Sequence, residues 1–240
     1  KRYAEEARAL GAESVTAAGT MALRSAQNSD CFIKFVKDET GLDVSVISGE
    51  DEAVLSFKSA ISSLPSAASG KVVTFDTGGG STEFVFGESG IITYKKSINI
   101  GAVTLTEDYF LHSPMGKAEL TSAQDIIIEN IRKEGISSSG AALIGMGGNI
   151  TSMAAVKLGL DRYDASAVHG MVLLASDVRS QIELYASCTH EERRAIKGLS
   201  PDRASVILAG ACIVYAAMEL CGASCVSVCD RGLRHMLLTE

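Results

Sequence analysis

Val72-Val73-Thr74-Phe75-Asp76-Thr77-Gly78-Gly79-Gly80-Ser81-Thr82-Glu83-Phe84-Val85-Phe86 is the stretch whose reading decides the fold. An apolar, β-rich run ends on an acid, turns through glycines and a Ser-Thr pair, and returns as a second β-rich run. This pattern predicts a β-hairpin with a wide polar tip. Adjacent glycines let a backbone bend tightly and let oxyanions approach its N–H groups. Asp76 stands at the mouth of the turn, where a carboxylate can hold a metal ion or a water. A plain hairpin turn would need neither the flanking acid nor the Ser-Thr pair.

Outward from the hairpin, a strand at 91–97 completes a three-stranded antiparallel meander. Helices are predicted at about 103–110 and 118–133, the second with an apolar stripe at Ile127, Ile128 and Ile131. A strand at 141–144 runs into Gly145-Met146-Gly147-Gly148-Asn149, and a helix begins at Ile150. Further helices are predicted at roughly 170–187, 190–196 and 202–221, then a strand at 225–228 and a last helix opened by Asp230-Arg231-Gly232. The order β-β-β-α-β-α-β across residues 71–228 is the core of a ribonuclease-H-like domain.

Upstream, a helix over 1–10 precedes a strand at 14–18, a helix at 30–40 capped by Gly41, a strand at 43–47 and a helix carrying Glu50, Asp51 and Glu52. Strand, helix, strand and helix in that order imply parallel pairing. Strand 14–18 corresponds to strand 141–144, and strand 43–47 to strand 225–228. The expected organisation is therefore a partial first lobe over 1–63, joined by a C-terminal helix at 230–240, and a second lobe over 64–229. A small-residue linker is expected at 65–70. The chain starts without Met, inside a helical pattern, which is expected of a fragment.

With 46% apolar and 21% charged residues, the 240-residue chain can fill a sizeable core. Its net charge of −7 and lack of a basic run argue against nucleic acid as a partner. Phosphate binding by such a chain must be local, through backbone N–H groups, a few cations and a divalent metal. No apolar run approaches a membrane span, and the charged first residues are no secretory signal. The six cysteines, at 31, 188, 212, 221, 225 and 229, form no Cys-x-x-Cys pair and read as free thiols of a reducing cytoplasm.

Asp76-Thr77-Gly78-Gly79-Gly80-Ser81-Thr82-Glu83 resembles the second phosphate loop of the exopolyphosphatase / guanosine pentaphosphate phosphohydrolase family. That family belongs to the actin–sugar-kinase–Hsp70 superfamily. The ordered matches are Gly19-Thr20-Met21-Ala22-Leu23-Arg24, Ile47-Ser48-Gly49-Glu50-Asp51-Glu52-Ala53, Asn99-Ile100-Gly101-Ala102-Val103, Gly145-Met146-Gly147-Gly148-Asn149, Leu199-Ser200-Pro201-Asp202-Arg203 and Asp230-Arg231-Gly232-Leu233-Arg234. They span nearly the whole chain. The family's first phosphate loop, Asp-x-Gly-Ser-Asn-Ser, has no match, so the resemblance implies that this chain alone is an incomplete enzyme.

The resemblance implies release of terminal phosphate from inorganic polyphosphate, or of the 5′ γ-phosphate from guanosine pentaphosphate. It implies Glu52 as general base or water-positioner and Arg24 as the substrate arginine. Guanidinium suits the second role because it meets phosphate bidentately. Gly78, Gly79, Gly80, Ser81 and Thr82 are expected to donate to phosphate, with Gly147, Gly148 and Asn149 at the facing loop. Asp76 is expected to hold Mg²⁺, and Glu83 to orient metal or water. The alternatives on the same fold are a nucleotide-dependent phosphotransferase and a non-catalytic module that binds polyphosphate or guanosine tetraphosphate. The family's many dimers make a homodimer an option.

Overall fold

A computed structural model of the chain describes residues 1–66, 69–138 and 140–237. The chain divides into two compact units, Lys1–Glu52 and Ala53–Glu240. Residues 67–68 of the expected linker and 238–240 of the expected last helix lie outside the described residues.

The first unit carries α1 (Arg2–Ala9), β1 (Ala17–Gly19), α2 (Met21–Ser25), α3 (Ser29–Thr40), β2 (Val44–Val46) and the first turn of α4 (Gly49–Ser63). β1 and β2 pair in parallel with Ala17 opposite Val44 and Gly19 opposite Val46. Gly41 takes the left-handed conformation (φ 74°) that ends α3, as the sequence requires. α2 was not expected, being too short for any helical periodicity to register.

The second unit is built on β3 (Lys71–Thr77), β4 (Thr82–Glu88) and β5 (Ile91–Ile98), the expected meander. It continues through α5 (Ala102–Tyr109), α6 (Lys117–Lys133), β6 (Ala142–Met146), α7 (Gly148–Leu158), α8 (Ala165–Val168) and β7 (Val172–Leu174). α9 (Ala175–Ser187), α10 (His190–Arg194), a 3₁₀ turn at Pro201–Arg203, α11 (Ile207–Cys221), β8 (Cys225–Val228) and α12 (Leu233–Met236) complete it. The sheet order is β5-β4-β3-β6-β8-β7, with β3, β6 and β8 parallel. This is the ribonuclease-H-like order read from the sequence, with one strand added at the edge.

That added strand, β7, falls inside the stretch expected to be helical from residue 170. Leu173 is buried while Val172 and Leu174 are exposed, a two-residue alternation that suits an edge strand paired antiparallel to β8. The helix starts only at Ala175, where the Asp177 carboxylate accepts the Leu174 N–H at 2.7 Å. Likewise the helix expected from residue 202 begins at Ile207, after the 3₁₀ turn that Pro201 opens.

Alternation sorts the strands between two cores. Val73, Phe75, Phe84, Leu143 and Val226 face the main core with α6, α7, α9 and α11. Val72, Val85, Ile144 and Met146 face the other way, onto Ala53, Phe57 and Ala60 of α4. α11 is apolar on nearly all sides and is buried along its length against α5, α6, α7 and α9. Asp76 and Glu83 fall on the α4 side by the same alternation, directly opposite one another in the β3–β4 register.

Phe84 is fully buried and its ring lies 6.0 Å from that of Phe75. Truncating it leaves a cavity in the main core, so Phe84→Ala should lower unfolding free energy by about 3–5 kcal/mol. Urea denaturation of the variant checks this; a midpoint equal to the parent's would refute the core assignment.

Candidate active site

The Gly78–Ser81 turn is closed by the Gly78 N–H donating to Ser81 O at 2.9 Å. Its outward face is set by α5. Ala102 N–H donates to Gly78 O at 3.0 Å, and Val103 N–H donates to Gly79 O at 2.8 Å. A trans peptide points its C=O and the next N–H in opposite directions. With the Gly78 and Gly79 carbonyls committed to α5, the N–H groups of Gly79 and Gly80 point away from it. Neither donates to a backbone acceptor among the described residues. Two adjacent N–H groups aimed the same way form a concavity for an anion.

None of the three glycines of the turn has a positive φ. The tightest approach is at Gly101, where an added Cβ would lie 2.3 Å from Gly79 O and 2.4 Å from Gly80 N. Those are backbone atoms, so the turn could not accommodate it without moving. Ser81 and Thr82 are buried, and Thr82 Oγ1 donates to Ile100 O at 2.6 Å. The Thr82 hydroxyl expected to reach phosphate instead fastens the turn to the segment leading into α5.

The facing loop stands at the end of β6. Gly147 has φ 92°, and a Cβ there would lie 2.6 Å from Thr77 O and 2.9 Å from Asp76 Oδ1. Only glycine fits both the dihedral and the space. Gly147 also heads α7 without any side-chain cap, so first-turn N–H groups of this 11-residue helix are open at the same end. Arg203 covers that turn: a Cβ on Gly148 would fall 2.2 Å from its Nη2. No hydrogen bond or ion pair engages the Arg203 side chain among the described residues. The sequence pattern had shown Arg203 only as part of a matched motif; the signal it offered was Pro201 opening a tight turn that fixes the arginine.

Asn149, expected at the phosphate, is fully buried. Its Nδ2 donates to Thr77 O at 3.4 Å, and a Cβ on Gly210 would lie 2.5 Å from its Oδ1. It ties the end of β3 to α7 and α11 and has no surface to offer a ligand.

Asp76 is half-buried beside Gly147. Ser56 Oγ donates to its Oδ2 at 2.9 Å, and Gly232 approaches the same oxygen. Glu83, opposite it across the hairpin, is 3% exposed and accepts the Ser97 hydroxyl at 2.7 Å. The two carboxylates lie on one face of the sheet. Among the described residues no group of three or more His, Cys, Asp or Glu could form a metal cage. That donor set fits Mg²⁺, which keeps waters and is held by one or two carboxylates plus substrate phosphate.

In the first unit, Arg24 and Glu52 meet. Arg24 Nη1 donates to Glu52 Oε2 at 3.0 Å and to Ile47 O at 2.9 Å. The register explains the meeting. β1 and β2 end side by side, and α2 and α4 start just beyond those ends, where α/β folds place ligands. The pair's side chains are only 23% and 15% exposed, so the contact is partly shielded from water. Glu52 Oε1 accepts no hydrogen bond among the described residues. Asp51, by contrast, is bound by Ser48 in a local turn at the surface.

His169 closes α8. Its ring bridges Ser63 O, at 3.3 Å, and the Asp230 N–H, at 3.3 Å. It thus ties the end of α4 to the segment that brings Gly232 beside Asp76. Tyr163 donates its hydroxyl to Asp230, and burial together with that carboxylate pushes the phenol up to about 12.

Residues 1–240 match the Ppx/GppA phosphatase family. The chain belongs to that family. The chain is 32% identical over 220 residues to exopolyphosphatase 2 of Mycobacterium tuberculosis, covering 88% of this chain and 68% of that protein. It is 33% identical over 215 residues to a bifunctional 3-dehydroquinate synthase/phosphatase of Fusobacterium nucleatum, covering 88% of this chain and 32% of that one. A Ppx/GppA enzyme structure from Aquifex aeolicus superposes with a TM-score of 0.87 at 33% identity, covering all of this chain and 79% of the other. The chain thus spans between about a third and about four-fifths of the lengths of these relatives. The Ppx/GppA fold is that of the actin–sugar-kinase–Hsp70 superfamily, as the second unit's sheet order indicates.

Two outcomes follow from this geometry. Gly101→Ala should cost about 1–3 kcal/mol through overpacking and weaken tripolyphosphate binding, measured by calorimetry; unchanged affinity would mean that the α5 contact does not shape the turn. The folded chain holds the Tyr163 proton more tightly than the unfolded chain does, so this contribution is intact below pH 10. It is lost as pH rises from the ordinary phenol value of 10.0 towards about 12. Tyr163→Phe should flatten that part of the stability-versus-pH curve; an unaltered curve would contradict the assignment.

Proposed function

We propose that this chain is the phosphohydrolase portion of an enzyme that releases terminal phosphate from inorganic polyphosphate or the 5′ γ-phosphate of guanosine pentaphosphate. The carrying observation is the pair of outward Gly79 and Gly80 N–H groups beside Asp76, the open turn of α7 and Arg203. That set offers donors and positive charge without a nucleophile, which suits hydrolysis by positioned water. The relatives support the same reading. One is named an exopolyphosphatase, and a Photobacterium profundum relative, 29% identical over 241 residues, is named guanosine-5'-triphosphate,3'-diphosphate pyrophosphatase.

In this mechanism the Gly79 and Gly80 amides and Arg203 hold non-bridging oxygens of the phosphate chain. Glu52 holds the attacking water through Oε1 and takes its proton, while Arg24 fixes the Glu52 carboxylate and meets charge on the phosphoryl group. Water oxygen adds to the terminal phosphorus in line, and the P–O bond to the next phosphate breaks with its electron pair on the leaving chain. Asp76, with Glu83, would hold Mg²⁺, which would supply neutralisation of phosphate charge. Six free thiols fit a reducing cytoplasm as the setting.

The test is phosphate release from long-chain polyphosphate and from guanosine pentaphosphate by the full-length protein, with Mg²⁺ present or chelated. Loss of a general base lowers turnover by about 10²–10⁴-fold, the drop expected of Glu52→Gln. Asp76→Asn should raise the Mg²⁺ concentration needed for half-maximal rate. Parental rates in both variants would refute the assignment; binding of polyphosphate without any release would make the chain a binding module.

A further inference from the structure

A cavity of about 480 Å³ lies in the helical layer of the second unit, lined from α6, α9, α11 and the Met115 loop. None of the phosphate-loop residues lines it. Its volume falls within the range of about 300–1,000 Å³ typical of small-molecule sites. The floor is apolar: Met115, Leu120, Ile182 and Ala186 are all buried beneath it. The Met115 N–H donates to Ala186 O at 2.8 Å and pins the loop to the last turn of α9.

The rim carries two cations and one acid. Lys117 is the first residue of α6, and Arg179 stands on α9. Neither forms an ion pair among the described residues, although the chain's net charge is −7. Glu183 lies one turn beyond Arg179 on the same helix, yet does not pair with it. Gly116 heads α6 with no side-chain cap, adding the positive end of a 17-residue helix beside Lys117. Tyr215, also in the lining, hydrogen-bonds Arg179 and leaves its charge unpaired. Two cations without an ion pair over an apolar floor suit a molecule with one anionic head and an apolar body.

We propose that this cavity binds a medium-chain carboxylate, its head between Lys117 and Arg179 and its chain along Leu120, Ile182 and Ala186. The site is independent of phosphate hydrolysis, so it stands or falls apart from that reading.

Calorimetric titration with octanoate, and with uncharged octanamide of the same length, tests it. Octanoate should bind with saturation at one site. The Lys117→Glu, Arg179→Glu double variant should bind octanoate about tenfold more weakly and octanamide unchanged. Thr121→Trp, a substitution at an exposed rim position, should block both ligands without disturbing the buried floor. Absence of saturable binding, equal weakening of both ligands by charge reversal, or undiminished binding to the Thr121→Trp variant would each overturn the proposal.

Discussion

The carbonyls of Gly78 and Gly79 accept the first N–H groups of α5, and the candidate site depends on that. A helix start usually leaves its N–H groups for a side-chain cap or for water. Here another backbone satisfies them, and peptide planarity turns the opposite edge of the same turn into donors. The orientation is therefore fixed before any ligand arrives. Gly101 is the position that lets the two backbones come this close, and Thr82 locks the turn to the segment leading into α5. A site preset in this way need not reorganise its dipoles as charge develops.

The meander, its hairpin and the parallel strands were legible because alternation and glycine punctuation are strong over seven or eight residues. Asp76 could be placed at the mouth of the turn for the same reason. What the sequence hid was short or non-local. β7 is a three-residue edge strand recognisable only from its partner β8. The burial of Asn149 depends on Thr77 and Gly210, distant in the chain and close in space. Arg203 acquires meaning only when Gly148 is found beneath its guanidinium.

Glycine also misleads in an instructive way. The Gly78–Gly80 run reads as a tight bend open to oxyanions, and it makes that bend without a positive φ. At Gly79 the demand is for room, since a Cβ there would lie 3.2 Å from the Val103 side chain of α5. Gly147 is the reverse: its φ of 92° and its contact with Thr77 O both exclude a side chain. Sequence shows that glycine is present; only the neighbours show which of its two properties is in use.

The first unit rests on a different balance. Ala4 is its buried apolar side chain among the described residues, α3 buries none, and Phe35 is 62% exposed. Apolar burial is the main term opposing chain entropy, so this segment has little of its own to hold it. The Arg24–Glu52 contact ties α2 to the start of α4 within this segment. A molecule that engages that pair would raise the free energy needed to unravel the segment around it.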